Sequence, residues 1–80
     1  MQKGYSLACD TITAKVISSE SHGGWDVVVQ LVALTAMQHV IDEEAAKHTA
    51  IILARNLCAN NNVTPPSCLD NPSWVPDDAD

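Results

Sequence analysis

Between residues 31 and 57 the chain contains neither glycine nor proline, and this stretch constrains the fold more than any other feature. Ala, Leu, Met, Gln, Glu, Lys and Arg predominate there, and these residue types favour helix. The acidic triplet at residues 42–44 suits a first helical turn, where carboxylates meet the positive end of the helix dipole. Three asparagines at 60–62 predict the end of the helix, because Asn tolerates the left-handed conformation. The pattern therefore predicts a helix over 43–60.

The segment before that helix is apolar on nearly every side. Drawn as a helix, residues 25–42 place apolar side chains in almost all directions, so such a helix must be covered on more than one face. The run Val27-Val28-Val29 fits a strand as well. Serines and the pair Gly23-Gly24 separate this segment from the first one, because they disfavour helix. We expect a second helix over 25–42.

The first segment, residues 5–18, fits two structures. Read as a helix, it gathers one apolar stripe: Tyr5, Cys9, Ile12 and Val16. Read as a strand, its β-branched residues alternate between apolar and polar, with Ile12, Ala14 and Val16 on one side. We expect the helix.

Together these segments predict an all-α fold, a small helical bundle or helical hairpin of about three helices near 5–18, 25–42 and 43–60. The alternative is an α+β fold with an N-terminal β-hairpin packed on one long helix. We expect a single helical domain over residues 1–63. All four prolines lie in residues 64–80, which predicts an extended, acidic, Pro-rich arm.

The net charge of the chain limits the classes of partner that it is expected to bind. The net charge of −6 and the four scattered Lys and Arg residues argue against direct nucleic-acid binding, which needs clustered cations. An acidic protein suits a protein partner with a basic surface. The chain shows neither a membrane span nor a signal peptide, which predicts no membrane association and a cytoplasmic location. Because so small a core is marginal, we expect a homodimer or higher homo-oligomer.

The three cysteines, Cys9, Cys58 and Cys68, form no close pair of the kind that structural zinc sites use. A Cys58–Cys68 disulfide would join the arm to the last helix; the other interpretation is free thiols. His39 with Glu43, and Glu44 with His48, have helical spacing, which surface ion pairs explain better than a metal site. We expect no metal and no cofactor.

No nucleophile with its base, carboxylate pair or phosphate loop stands out, so the sequence predicts a non-enzymatic protein. We expect a small inhibitor or modulator of a larger macromolecule, such as a phage- or mobile-element-encoded anti-defence protein, an antitoxin or an immunity-type protein. The predicted partner-binding residues are Trp25, Ile51, Arg55 and Trp74. Two alternatives stay open: an accessory subunit of an enzyme, and an oligomer whose intersubunit pocket, around His22 and His48, binds a small ligand.

Overall fold

The all-α prediction is wrong: the protein is an α+β fold, a five-stranded antiparallel sheet with one long helix on it. The computed structural model describes residues 4–19 and 23–76. The strands are β1 (Gly4–Cys9), β2 (Ile12–Ser18), β3 (Trp25–Leu31), β4 (Leu34–Val40) and β5 (Val75–Pro76), and the helix is α1 (Glu43–Asn60). They lie across the sheet in the order β4-β3-β2-β1-β5. The alternative of an N-terminal hairpin packed on a helix is therefore nearer, although the sheet extends well beyond one hairpin.

The helix predicted near 5–18 is the hairpin β1–β2. Buried and exposed residues alternate along β2, as they do in a strand with one covered face. Ile12, Ala14 and Val16 are buried on one face, while Thr13 and Lys15 point to the other. β-branched side chains pack well on such a pleated surface. The alternation of apolar and polar residues fits a sheet with one covered and one solvated face. The helical stripe of Tyr5, Cys9, Ile12 and Val16, with spacings of four, three and four residues, is therefore a coincidence.

The helix predicted near 25–42 is a second hairpin, β3–β4. Val27, Val29 and Leu31 are buried, and the residues between them belong to the opposite face. Val28 is one of those intervening residues, which is why the segment seemed apolar on every side. Gly24, directly before β3, lets the backbone there lie close to the end of β4. Any side chain at this position would collide with the carbonyl oxygen of Val40.

The predicted helix over 43–60 is confirmed, and both of its ends follow the expected chemistry. The Asp42 carboxylate caps the start by accepting a hydrogen bond of 2.7 Å from the Ala45 amide. Asn62 adopts a left-handed φ of 57° at the other end. The Val63 amide then donates to the Cys58 carbonyl at 2.8 Å, the closing bond of a Schellman motif.

The helix packs on the sheet through its smallest side chains. Ala46, Ala50, Ala54 and Cys58 recur every fourth residue and are fully buried against the inner faces of β2 and β3. Small side chains let the helix backbone approach the sheet closely, so the core is a thin layer between the two. The other sheet face, which we call the open face, has no described segment packed on it.

The arm after the helix is held to this domain. Leu69, in a short 3-10 turn at Ser67–Leu69, is buried in the core, and β5 pairs with β1. A disulfide joins Cys68 to Cys9, while Cys58 is a buried free thiol, so the Cys58–Cys68 bond considered from the sequence does not form. The reason is orientation: Cys58 belongs to the row of α1 that faces the sheet.

Candidate functional site

The docked arm and one flank of α1 enclose a groove of about 460 Å³, which we call the α1–arm groove. Its helical wall comes from one stripe of side chains spaced three or four residues apart, so they share a face. The opposite wall is residues 69–74 of the arm. The Cys9–Cys68 disulfide, the burial of Leu69 and the β5 pairing fix this second wall against the first.

The groove combines an apolar floor with a charged rim. The floor is formed by Ile51, Leu69, Pro72 and Trp74, of which Leu69 is buried and the others are half-buried. The rim is formed by Glu44, Lys47, His48, Arg55 and Asp70. Protein-binding sites have this anatomy, a desolvated apolar centre surrounded by polar groups.

Most of the rim charge is paired within the protein. Nη2 of Arg55 donates to Oδ1 of Asp70 at 2.6 Å across the groove. Nζ of Lys47 lies 3.5 Å from Oε2 of Glu43 and 3.8 Å from the centre of the Tyr5 ring. Both ion pairs are exposed enough that they add little stability. Among the described residues the Glu44 carboxylate has no such partner, so the groove leaves one negative charge available.

Four residues predicted from the sequence lie around this one groove: Ile51, Arg55, Trp74 and His48. Trp25 lies outside it, half-buried on β3, with its ring stacked on Tyr5 at a centroid distance of 6.2 Å. His22 lies outside the described residues. The structure thus separates Trp25 from the other three predicted partner-binding residues and brings His48 to them.

Sequence reasoning missed the remaining lining residues. Glu44 precedes His48 by four residues and Lys47 precedes Ile51 by four, so the spacing along α1 contained the signal for them. Leu69, Asp70 and Pro72 could not be found in this way, because their position depends on which cysteines pair. Only part of the groove lining could therefore be predicted from the sequence.

Across residues 4–19 and 23–76, no cluster of three or more His, Cys, Asp or Glu side chains is placed to hold a metal ion. Within the same part of the chain, no helix has the length and apolar character that a membrane span needs. No protein-family model, curated protein or solved structure matches the sequence.

Proposed function

We propose that this protein is a non-enzymatic binding module whose α1–arm groove receives a segment of a larger protein and thereby inhibits or modulates it. The observation that carries the proposal is the convergence of Ile51, Trp74 and Arg55 on one groove with an apolar floor. Trp in a partly enclosed, central position is one of the residue types that contribute most to binding energy, and Trp74 lies on the half-buried floor. The disulfide-anchored arm supports the same proposal, because a groove wall that is already fixed loses little conformational entropy on binding.

The charge of the groove favours a basic partner segment. Arg55 and Lys47 already have carboxylate neighbours, whereas Glu44 retains an unpaired charge beside the apolar floor. The net charge of −6 also raises the encounter rate with a positively charged surface. The expected occupant is an apolar side chain, seated on Trp74 and Ile51, with a Lys or Arg close to it in the partner's sequence.

Small inhibitors of this kind include anti-defence proteins of phages and mobile elements, antitoxins and immunity-type proteins, and this is the class we favour. The disulfide bears on where the protein acts. A Cys9–Cys68 bond persists in oxidising surroundings and is reduced in most cytoplasms. Within this class we therefore favour an inhibitor that acts in an oxidising compartment, in place of the cytoplasmic location expected from the sequence.

Site-specific photo-cross-linking in extracts of the native host tests the proposal. A photoreactive residue replaces exposed His48 on the groove rim in one protein and exposed Thr13 on the open face in a second. We expect a discrete cross-linked protein from position 48 that position 13 does not give. Equal cross-linking from both positions would contradict groove binding.

A matched pair of helix variants gives the control. Ile51→Ala removes part of the groove floor, whereas Ile52→Ala changes the next residue, which is 45% exposed and does not line the groove. We expect the position-48 cross-link to be lost with Ile51→Ala and kept with Ile52→Ala. If native mass spectrometry of the host-purified protein instead shows a retained small molecule that Ile51→Ala releases, the groove is a ligand pocket and the protein-binding proposal fails.

A further inference from the structure

The two edges of the sheet are protected to very different degrees. At the β1 edge, the two-residue strand β5 ends in Pro76, which lacks an N–H donor. At the other edge, β4 is seven residues long, and none of the described segments pairs with its outer side. Soluble proteins normally protect such an edge with charge, proline or a bulge. β4 has no Lys, Arg, Asp, Glu or Pro, and its register with β3 is continuous.

The hairpin geometry fixes which backbone groups are available on that edge. Leu31 and Leu34 flank a two-residue turn and therefore form a hydrogen-bonded pair, a pattern that recurs at every second residue. Ala36, Gln38 and Val40 consequently bond to β3. Thr35, Met37 and His39 turn their N–H and C=O groups outward, so the edge offers three donors and three acceptors at regular spacing.

We propose that β4 of one molecule pairs antiparallel with β4 of a second copy, around a two-fold axis at Met37. The two sheets then become one continuous sheet. Only residues whose backbone groups face outward can exchange hydrogen bonds with the second copy, so the axis can fall at residue 36, 37 or 38. An axis at Met37 uses all three outward residues within the strand, in the pairs Thr35 with His39 of the second copy, Met37 with Met37, and His39 with Thr35. The neighbouring axes keep only two such pairs within β4.

The side chains are self-complementary in this register. At the ends of the strand, Leu34 lies opposite Val40 of the second copy, so two apolar side chains meet. At the centre, Met37 meets its own copy, and its side chain is 73% exposed in the single chain. No cross-strand pair brings like charges together. His39 also keeps its Asp26 neighbour, whose Oδ1 lies 2.8 Å from Nδ1, because that contact is to β3 of the same chain.

A second copy fits this edge better than a charged peptide does. β4 offers no carboxylate, ammonium or guanidinium group that would select a basic or acidic segment. The acidic residues that give the chain its net charge lie outside β4, so pairing two edges brings no carboxylate of β4 against another. The edge residues do not line the α1–arm groove, whose arm wall leads into β5 at the opposite edge of the sheet. This inference is therefore independent of the proposed function.

A charge swap at Met37 tests the register as well as the dimer. Sedimentation of the wild type should give twice the chain mass of 8.6 kDa. Met37→Lys and Met37→Glu should each give monomers, because like charges then face each other across the axis. An equimolar mixture of the two variants should restore the dimer. Ile52→Lys, at an exposed apolar residue on α1, is the matched control and should remain dimeric.

Hydrogen exchange gives a second, residue-specific readout. In the wild type the amides of Thr35, Met37 and His39 should be protected from exchange. In Met37→Lys the amides at these three positions should lose protection, while those of Ala36 and Gln38 stay protected by their bonds to β3. Retained protection of Ala36 and Gln38 also shows that the variant is folded. A wild type that is monomeric at about 1 mM overturns the proposal. Two charge variants that dimerise alone, or a mixture that stays monomeric, overturn it too.

Discussion

A disulfide joins Cys9, the last residue of β1, to Cys68 in the arm, across a sequence separation of 59. It closes nearly the whole described domain into one covalent loop and brings Leu69 into the core beside it. This one bond connects the fold to the candidate site, since the wall of the α1–arm groove begins directly after it.

We expect loss of this disulfide to destabilise the protein strongly. For a closed loop of this length, the entropy removed from the unfolded chain corresponds to roughly 4 kcal/mol in the free energy of unfolding. The double variant Cys9→Ser/Cys68→Ser should therefore unfold at a much lower urea concentration. A reductant should lower the wild-type midpoint to that of the double variant and leave the variant unchanged. A wild-type midpoint that is insensitive to reductant would contradict the assigned bond.

The cap at Asp42 gives a second prediction. Its carboxylate satisfies the Ala45 amide at the start of α1, and Asp42→Ala should lower the free energy of unfolding by about 1 kcal/mol. Asp42→Asn keeps an acceptor oxygen and should cost much less, which urea unfolding of the three proteins would show. If the Asn variant loses as much stability as the Ala variant, the cap hydrogen bond is not the source of the stabilisation.

Helix α1 could be predicted from the sequence because its signals are local. An acidic start, a Gly- and Pro-free interior and an asparagine stop all lie within the element or directly beside it. The strands lacked such signals. The two hairpin turns contain Asp10-Thr11 and Val32-Ala33, without the Asn-Gly or Asp-Gly pairs that usually mark two-residue turns.

Composition also misled the prediction over 31–42. Ala36, Met37 and Gln38 are good helix formers, yet they lie in β4, because pairing with β3 outweighs intrinsic preference. Strand propensity is mostly a matter of fitting a half-buried pleated surface, and that surface exists only after β3 has formed. The sequence therefore contained the alternation in β2 and β3 but no local reason for β4.

Some residues of the candidate site could likewise be predicted from the sequence, whereas their arrangement could not. Ile51 was identifiable because it falls among the charged residues of an amphipathic helix, and Trp74 because it lies in a polar tail. Their proximity was not predictable, since it depends on the Cys9–Cys68 pairing, and three cysteines allow three pairings.

The close approach of α1 to the sheet gives a third prediction. Ala50 is fully buried within the small-residue row, and leucine would add three carbon atoms between the helix and the sheet. Ala50→Leu should lower the free energy of unfolding by about 1–3 kcal/mol through overpacking. Ala59→Leu, at an exposed position of the same helix, should change it by no more than about 0.5 kcal/mol. A gain in stability from Ala50→Leu would show that the helix packs less tightly than described.

The β3–β4 turn gives the last prediction, because Val32 is held in the left-handed region at φ 57°. A β-branched side chain is strained there, at a cost of roughly 1–2 kcal/mol. The side chain is 83% exposed, so it returns little burial energy for that strain. Val32→Asn should therefore raise the free energy of unfolding by about 1 kcal/mol, since Asn tolerates this conformation. Ala33→Asn, one residue later and without a positive φ, is the control and should give no gain. If both substitutions raise the urea midpoint equally, the gain comes from adding a polar side chain to the exposed turn, and the left-handed conformation of Val32 does not explain it.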